Sequence, residues 1–335
     1  MASIPTIASV ALVLPFALGA TLAAAQAPST GSGQAYPTKP VRVMVGYVPG
    51  GGVDLAARFV ANGLADHWGT SAIVDNRPGA AGGVATEVTA KANPDGYTVM
   101  LCQIASHAIT PARVRNLPYD HIRDFAFPSM VGITPNVFVA APSAPFQTLT
   151  EFLTYARANP GKVSFGSSGV GASPHLSIEL LKTMSGINIV HVPYKGAAPA
   201  LSDVMGGQIP ASVGNLPGGL LSAIKSGKVR ALGVTSAKRS PQAPDVPTFS
   251  EQGVPGYDVS SWYGICTQAA VPKPILAKLN ADLNKILSAP ALKKRMEDQG
   301  IDVTPSTPEV FLAHVKAETE KWAKVVKDAG LVGDQ

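Results

Sequence analysis

One stretch near the N-terminus limits the fold more than any other. Val41-Arg42-Val43-Met44-Val45-Gly46-Tyr47 is rich in β-branched residues and reads as a strand. Pro49-Gly50-Gly51-Gly52 breaks it. From Val53 the apolar residues switch to helical spacing. Ala56, Phe59, Val60, Gly63 and Leu64 share one face, with Arg58, Asn62 and Asp66 off it. Glycines let backbone N–H groups approach a ligand closely. The helix start adds unpaired N–H groups and the positive end of its dipole. Such a corner cradles an anion, although the same loop also suits a plain tight turn. It lacks the Gly-Lys-Ser/Thr ending of a phosphate loop, and no Gly-x-Gly-x-x-Gly occurs, so a carboxylate fits better than a nucleotide.

The unit recurs in kind. Short strands are predicted at 72–74 and 97–102, with a small-residue helix at 83–92 between the turns Asn76-Arg77-Pro78-Gly79 and Asn93-Pro94-Asp95-Gly96. Further strands fall at 136–140, 163–166, 187–192, 211–213 and 229–235, alternating with helices at 149–158, 174–184, 197–205 and 216–225. After Ser236 come turns at Pro241, Pro244 and Pro247, the strand Trp262-Tyr263-Gly264-Ile265-Cys266 and three helices. The last, at 308–329, places Leu312, Val315, Trp322 and Val326 on one stripe. Alternating strands and helices give an α/β class. A chain of 335 residues exceeds one ordinary core and suits two lobes.

Residues 1–38 contain no charged side chain. Within them an apolar run at 7–22 is interrupted by Ser9, Pro15 and Gly19 and ends in Ala23-Ala24-Ala25-Gln26-Ala27. Residues 1–25 therefore read as a secretory signal peptide with small-residue cleavage sites, although the n-region has no Lys or Arg; an uncleaved anchor is the other reading. Residues 26–35 form a polar leader, expected to be flexible. The net charge of +5 comes without a Lys/Arg run or interleaved aromatics, so no nucleic-acid partner is expected. An exported chain can oxidise Cys102 and Cys266, and two buried free thiols are equally compatible with the spacing. No Cys-x-x-Cys or His-Glu-x-x-His occurs, so no metal and no cofactor are expected.

A second loop of the same design is Gly166-Ser167-Ser168-Gly169-Val170-Gly171-Ala172-Ser173, followed by Pro174. Ser173 suits an N-cap and Pro174 the first helical position. A serine hydrolase using Ser168 or Ser173 is an alternative, but the spacing is not Gly-x-Ser-x-Gly and no acid partner for His175 is evident. Two more helix starts lie at Tyr194-Lys195-Gly196-Ala197 and Asn215-Leu216-Pro217-Gly218. All four follow strand ends, where doubly wound sheets bind ligands. Asp54, in the first turn of its helix, reads first as a helix stabiliser, and Arg58 and Arg77 as structural contacts.

The ordered series of these motifs resembles the substrate-binding receptors of tripartite tricarboxylate transporters, the Bug receptors. Tyr47 to Arg58 is similar to the first signature. Asp75-Asn76-Arg77-Pro78-Gly79-Ala80-Ala81-Gly82 and Pro94-Asp95-Gly96-Tyr97-Thr98 are similar to the next two. Ser167 to Gly171, Val192 to Leu201, Asn215-Leu216-Pro217, Arg230 to Thr235 and Ser261-Trp262-Tyr263-Gly264 continue it in order.

The resemblance implies a two-lobed periplasmic-binding-protein fold of the Venus-flytrap, type II-like kind, with two crossing strands at about 136–140 and 229–235. Lobe I is then 36–140 and 237–335, and lobe II is 141–236. It further implies a monomeric, non-enzymatic periplasmic receptor that captures a small organic acid, a di- or tricarboxylate or an aromatic carboxylate, and docks transiently with membrane transporter subunits. A co-receptor for a sensor kinase is the remaining alternative. By motif match, Tyr47, Gly51, Gly52, Ser106, Ser168, Gly169, Ser173, Gly196, Ala197 and Asn215 are the candidate ligand-binding residues. Two departures stand out. Gly214 replaces an Asp common before Asn-Leu-Pro, which disfavours an amino-acid ligand and favours a purely anionic or aromatic acid. Gln103 and Ile104 replace small residues, which leaves pocket size open.

Overall fold

β1 (Val41–Val45) runs through the glycine loop into α1 (Gly52–Trp68), as the change of period predicts. This computed structural model describes residues 1–3, 36–328 and 330–333, so most of the expected signal peptide and the leader lie outside the described residues. β2 (Ala72–Asn76), α2 (Gly83–Ala90) and β3 (Thr98–Gln103) follow. A π-helical turn, Ala105–Ile109, then leads into the short α3 (Thr110–Arg113). Next come β4 (Phe125–Ala140), α4 (Leu149–Ala158), β5 (Ser164–Ser167), α5 (Ser173–Ser185), β6 (Val190–Pro193) and α6 (Ala197–Met205). β7 (Ala211–Asn215), α7 (Gly219–Lys225), β8 (Arg230–Val234) and β9 (Ser260–Gln268) continue the chain. It closes with α8 (Lys273–Ser288), α9 (Pro290–Glu297), β10 (Asp302–Val303) and α10 (Pro308–Asp328). Among the described residues no helix is long and apolar enough to cross a membrane.

The strands form two sheet regions that share β4. The first has the order β2-β1-β3-β9-β4, with β1 parallel to β2 and β3, and β9 antiparallel to β3 and β4. The second places β7, β5 and β6 beyond β4, with β8 on the other side of β4. β4 is a strand of 16 residues, of which the sequence shows only the end. Phe125 to Pro135 pair with β9, and Asn136 to Ala140 pair with β7 and β8. Proline cannot donate to a ladder and is confined to edges and irregularities. Pro128 lies at a register shift between Ala126 and Ser129, and Pro135 is the last residue paired with β9. The two prolines hide the strand from a sequence reading while marking where it bends and changes sheet.

The chain returns just after β8. The Thr235 amide donates to the Asn136 carbonyl (3.0 Å), the Val259 amide donates to the Thr235 carbonyl (2.8 Å), and β9 begins at Ser260. The intervening segment belongs by its bonds to the second sheet. The Phe249 amide donates to the Val234 carbonyl (3.0 Å), Gln252 Nε2 to the Leu232 carbonyl (2.7 Å), and the Tyr257 hydroxyl to the Ser177 carbonyl. The stretch that follows residue 236 thus keeps hydrogen bonds to the second sheet and its helix α5 as far as Tyr257. Prolines and turns in this stretch say that it is irregular, not which lobe it covers.

Helices α1 and α8 cover one face of the first sheet, burying Val60, Leu64, Leu279 and Leu283 against Val43 and Val45. On the other face α10 buries Phe311, Val315, Trp322 and Val326. Phe311, rather than Leu312, completes this stripe, because its ring lies on Gly264 of β9. A Cβ there would come within 2.0 Å of the ring.

Cys102 and Cys266 are both buried and free. The β3–β9 register pairs Met100 with Cys266 and Cys102 with Gly264, so the two cysteines are diagonal neighbours. Diagonal pairs stand about 7–8 Å apart, beyond the roughly 4.4–6.8 Å between Cα atoms that a disulfide usually spans. The two thiols are unbridged in this structure, with their sulfur atoms within 4.8 Å of each other. Instead the Cys102 thiol donates to the Gly264 carbonyl (3.3 Å), and Cys266 Sγ lies 3.6 Å from His107 Nε2. Burial pushes the Cys266 thiol up and His107 down to about 3, so both of these groups are uncharged.

A buried polar node sits where β4 changes sheet. Asn136 Nδ2 donates to Ser173 Oγ at the start of α5 (3.1 Å). Asn215 Nδ2, at the end of β7, donates to Asn136 Oδ1 (2.7 Å) and to Ser261 Oγ on β9 (2.8 Å). Ser261 Oγ lies 2.7 Å from Ser173 Oγ. Removing one member leaves the others unpaired inside the protein. Asn136→Ala is therefore expected to cost about 2–4 kcal/mol, measured by urea unfolding; a loss under about 0.5 kcal/mol, the range of neutral surface changes, would show that the node does not hold the two sheets.

Candidate ligand-binding site

Three helix N-termini meet at the junction of the sheets, and none carries a side-chain cap. They belong to α1 (N-cap Gly51), α5 (N-cap Ala172) and α6 (N-cap Gly196). Ala172, not Ser173, holds the capping position of α5, which frees the Ser173 hydroxyl for the polar node. Gly51, Gly52, Ser173 and Ala197 line a cavity of about 20 Å³, together with Tyr47, Gln103, Ser168 and Asn215. That is room for one water-sized polar group.

Asp54 fixes the first loop. Its buried carboxylate accepts from the Gly50 amide (3.1 Å), Asn76 Nδ2 (3.0 Å) and both Arg58 Nε and Nη2 (2.9 and 3.0 Å). Burial pushes this carboxyl up, but the bonds from Arg58, Asn76 and Gly50 outweigh it and hold the pKa below the usual value. Helix stabiliser is thus half of its role; the other half is shaping the glycine turn.

The cavity is rich in donors. Gln103 Nε2 and Tyr263 Oη are buried without a well-formed hydrogen bond among the described residues, although the Gln103 side chain is near enough to Tyr47 to lower its hydroxyl pKa against burial. Gln103 lines the cavity, and Tyr263 Oη lies 3.2 Å from where a Cβ on Gly52 would be. Burial pushes the Tyr47 hydroxyl up to about 12 and Tyr263 higher still, so both keep their protons. Ser173 Oγ accepts from Asn136, and the relay from Asn215 through Ser261 also ends on it. This leaves the Ser173 hydrogen as the spare donor, at the cavity wall. Uncapped N–H groups, neutral phenols, an amide and a polarised hydroxyl together suit an anion.

A larger cavity of about 730 Å³ adjoins the first and shares Tyr47, Val48 and Ser168 with it. Its walls come from the loop Pro78 to Ala81, from Gly169 and Val170, from Tyr194 and Lys195, and from Arg113. Among the described residues that line it there is no acid. Ala80 and Ala81 hold left-handed backbone, φ 47° and 53°. Such conformations cost about 1–2 kcal/mol per non-glycine residue and concentrate at ligand sites.

The structure brings most of the sequence candidates together. Tyr47, Gly51, Gly52, Ser168, Ser173, Ala197 and Asn215 line the small cavity, and Gly169 the large one. Gly196 sits behind them at φ +141°, where a Cβ would come within 2.3 Å of Val48. Ser106 does not line either cavity. It is buried, and its hydroxyl is engaged by Gln103 (3.0 Å) and His107 Nδ1 (2.9 Å). Gly214 lines a separate cavity of about 100 Å³ with Gly50, Gly51 and Ala197. Ile104 is core. Arg113 and the strained Ala80–Ala81 pair are contributors that the sequence reading missed as site residues; the latter lay inside a recognised motif, the former carried no local signal.

No nucleophile is assembled at the serines proposed for hydrolysis. His191 bonds Ser167 (2.7 Å), and His175 Nδ1 accepts from the Gly171 amide (3.2 Å), so neither imidazole is paired with Ser168 or Ser173.

Residues 56–331 match the tripartite tricarboxylate transporter family receptor. The chain belongs to that family. BugT of Bordetella pertussis is 33% identical over 314 residues, covering 93% of this chain and 96% of its own length. The R. palustris protein Rpa4515, solved with adipate, is 35% identical with a TM-score of 0.85, covering 88% of this chain and 98% of its own. MatC of Rhodopseudomonas palustris, solved with bound malate, is 30% identical with a TM-score of 0.82, covering 87% and 100%. The receptor family consists of substrate-binding proteins, not enzymes, and the similar BugD, 34% identical with a TM-score of 0.85, covering 90% of this chain and 100% of its own, is a periplasmic binding protein. The α/β architecture with a shared crossing strand is the periplasmic-binding-protein fold of this receptor family.

Two outcomes follow from the geometry. Gly52→Ala has ordinary helical backbone and gains up to about 1 kcal/mol of helix propensity, but its Cβ would stand 3.1 Å from Asn215 and 3.2 Å from Tyr263 Oη. Thermal stability should hold while acid affinity, measured by calorimetry, falls about tenfold or 1.4 kcal/mol; unchanged affinity would remove Gly52 from the site. The lowered Asp54 pKa means that its stabilisation is full above the unfolded value near 3.9 and fades as pH falls through the folded value. The melting-temperature gap between wild type and Asp54→Asn should therefore be largest at neutral pH and close on acidification.

Proposed function

We propose that this receptor is exported to the periplasm, captures a small organic acid between its two lobes and delivers it to the membrane subunits of a tripartite tricarboxylate-type transporter. The observation that carries the reading is the convergence of three uncapped helix N-termini, with the unpartnered Gln103 Nε2, on one small cavity. A carboxylate there would accept from N–H groups of α1, α5 and α6, from Gln103 and from the Ser173 hydroxyl. The body of the acid would extend into the larger cavity past Tyr47 and Ser168. Closure around it would be a hinge motion at the crossing strands.

The adipate and malate seen in two similar receptors support a dicarboxylate class. The absence of an acid among the described lining residues supports an uncompensated anion over an amino acid, whose ammonium would need a countercharge. A cavity of about 730 Å³ also admits an aromatic acid.

A thermal-shift screen of aliphatic and aromatic mono-, di- and tricarboxylates, amino acids and neutral sugars tests this. A true ligand at a hundred times its Kd should stabilise the protein by about 2.7 kcal/mol. Shifts by acids alone are expected; shifts by neutral solutes with none by acids would refute the carboxylate reading.

A further inference from the structure

The wall of the larger cavity includes a cation that has no partner among the described residues. Arg113, the last residue of α3, is 8% exposed and lines that cavity. Its Nη1 has no hydrogen-bond partner, and Arg113 takes part in none of the ion pairs among the described residues. Arg58, Arg42 and Arg77, by contrast, each sit on an aspartate. A buried charge without a partner is costly, and proteins keep one where something of opposite sign meets it. Burial alone lowers the Arg113 pKa, with no acid acting in the other direction. A guanidinium nonetheless stays protonated, and its planar fork matches a carboxylate.

The surroundings fit the same conclusion. The loop of the second sheet comes so close that a Cβ on Gly171 would stand 2.5 Å from Nη1, and Gly171 has φ +78°. Lys195 lines the cavity from that side too, exposed to solvent. The strained Ala80 and Ala81 form part of the wall, and Ala81 Cβ also lies within 3.7 Å of the Gly171 Cβ position. The two cavities adjoin, with Tyr47, Val48 and Ser168 lining both.

We propose that Arg113 receives a second carboxylate, so that the ligand is a dicarboxylate with one end at the helix N-termini and the other on the Arg113 guanidinium. This rests on the carboxylate-receptor reading above and narrows it to diacids. It makes Arg113 the residue that separates a diacid from the monoacid of the same length.

Calorimetric titration of matched pairs tests it, adipate against hexanoate and terephthalate against benzoate. Wild type should prefer the diacid in at least one pair. Arg113→Met keeps the length of the side chain and removes the charge. It should weaken that diacid about 10- to 100-fold, the range for a hydrogen bond to a charged group, and leave the monoacid within about threefold. Arg113→Lys keeps a point charge without the fork and should fall between; it carries the test alone if the Met variant does not fold. Equal losses for diacid and monoacid would assign Arg113 a structural role and overturn the proposal. An undiminished diacid preference in the variants, or equal wild-type affinity for both acids, would overturn it while leaving the receptor reading intact. Binding of none of the four acids by a folded wild type that neutral solutes stabilise would overturn both.

Discussion

The carboxamide of Asn136 is the interaction on which the two halves of this receptor depend. It lies where β4 stops pairing with β9 and starts pairing with β7 and β8. Its side chain joins the start of α5 to the end of β7, and Ser261 brings β9 into the same node. Its main chain is tied to Thr235, from which the chain returns to the first sheet. A buried polar cluster of this kind is costly if half-made and rigid if complete. Here its four side chains are all hydrogen-bonded to one another, and it connects the strand that crosses, the segment that returns and one helix whose start lines the small cavity.

From that node outward the site is built almost entirely of main chain and neutral donors. Helix starts contribute N–H groups, Asp54 holds the glycine turn in shape, and phenols kept protonated by burial stand alongside. Among the described residues lining the small cavity there is no cation. Arg113, a buried guanidinium outside every ion pair among the described residues, stands apart in the wall of the larger cavity. The strain at Ala80 and Ala81 is in the wall of the larger cavity. Gly79 and Gly82, both at positive φ, flank it.

The two thiols illustrate a limit of composition arguments. Export permits a disulfide, and an even number of cysteines invites one. The register of β3 on β9 decides otherwise, by placing the two residues diagonally and giving each sulfur another partner. The same register brings His107 beside Cys266 although 159 positions separate them in the chain, a proximity that no sequence spacing could reveal.

What the sequence determined by itself was local. Period changes at Gly50 to Val53, and at the later glycine loops, announced each strand, turn and helix start, because backbone freedom and side-chain spacing act over a few residues. The order of those motifs identified the receptor family and most of the cavity lining. Tertiary structure decided the rest. Pro128 and Pro135 concealed a 16-residue strand, since proline punctuates a sequence whether it ends a strand or bends one. The segment before Val259 joined the second sheet through bonds to Leu232, Val234 and Ser177, which are distant in the chain. Ser106 was drawn into the core by Gln103 and His107. Arg113 entered the cavity because a π-helical turn and a short helix end there, a placement set by packing on β3 and α10, not by any pattern in its neighbours.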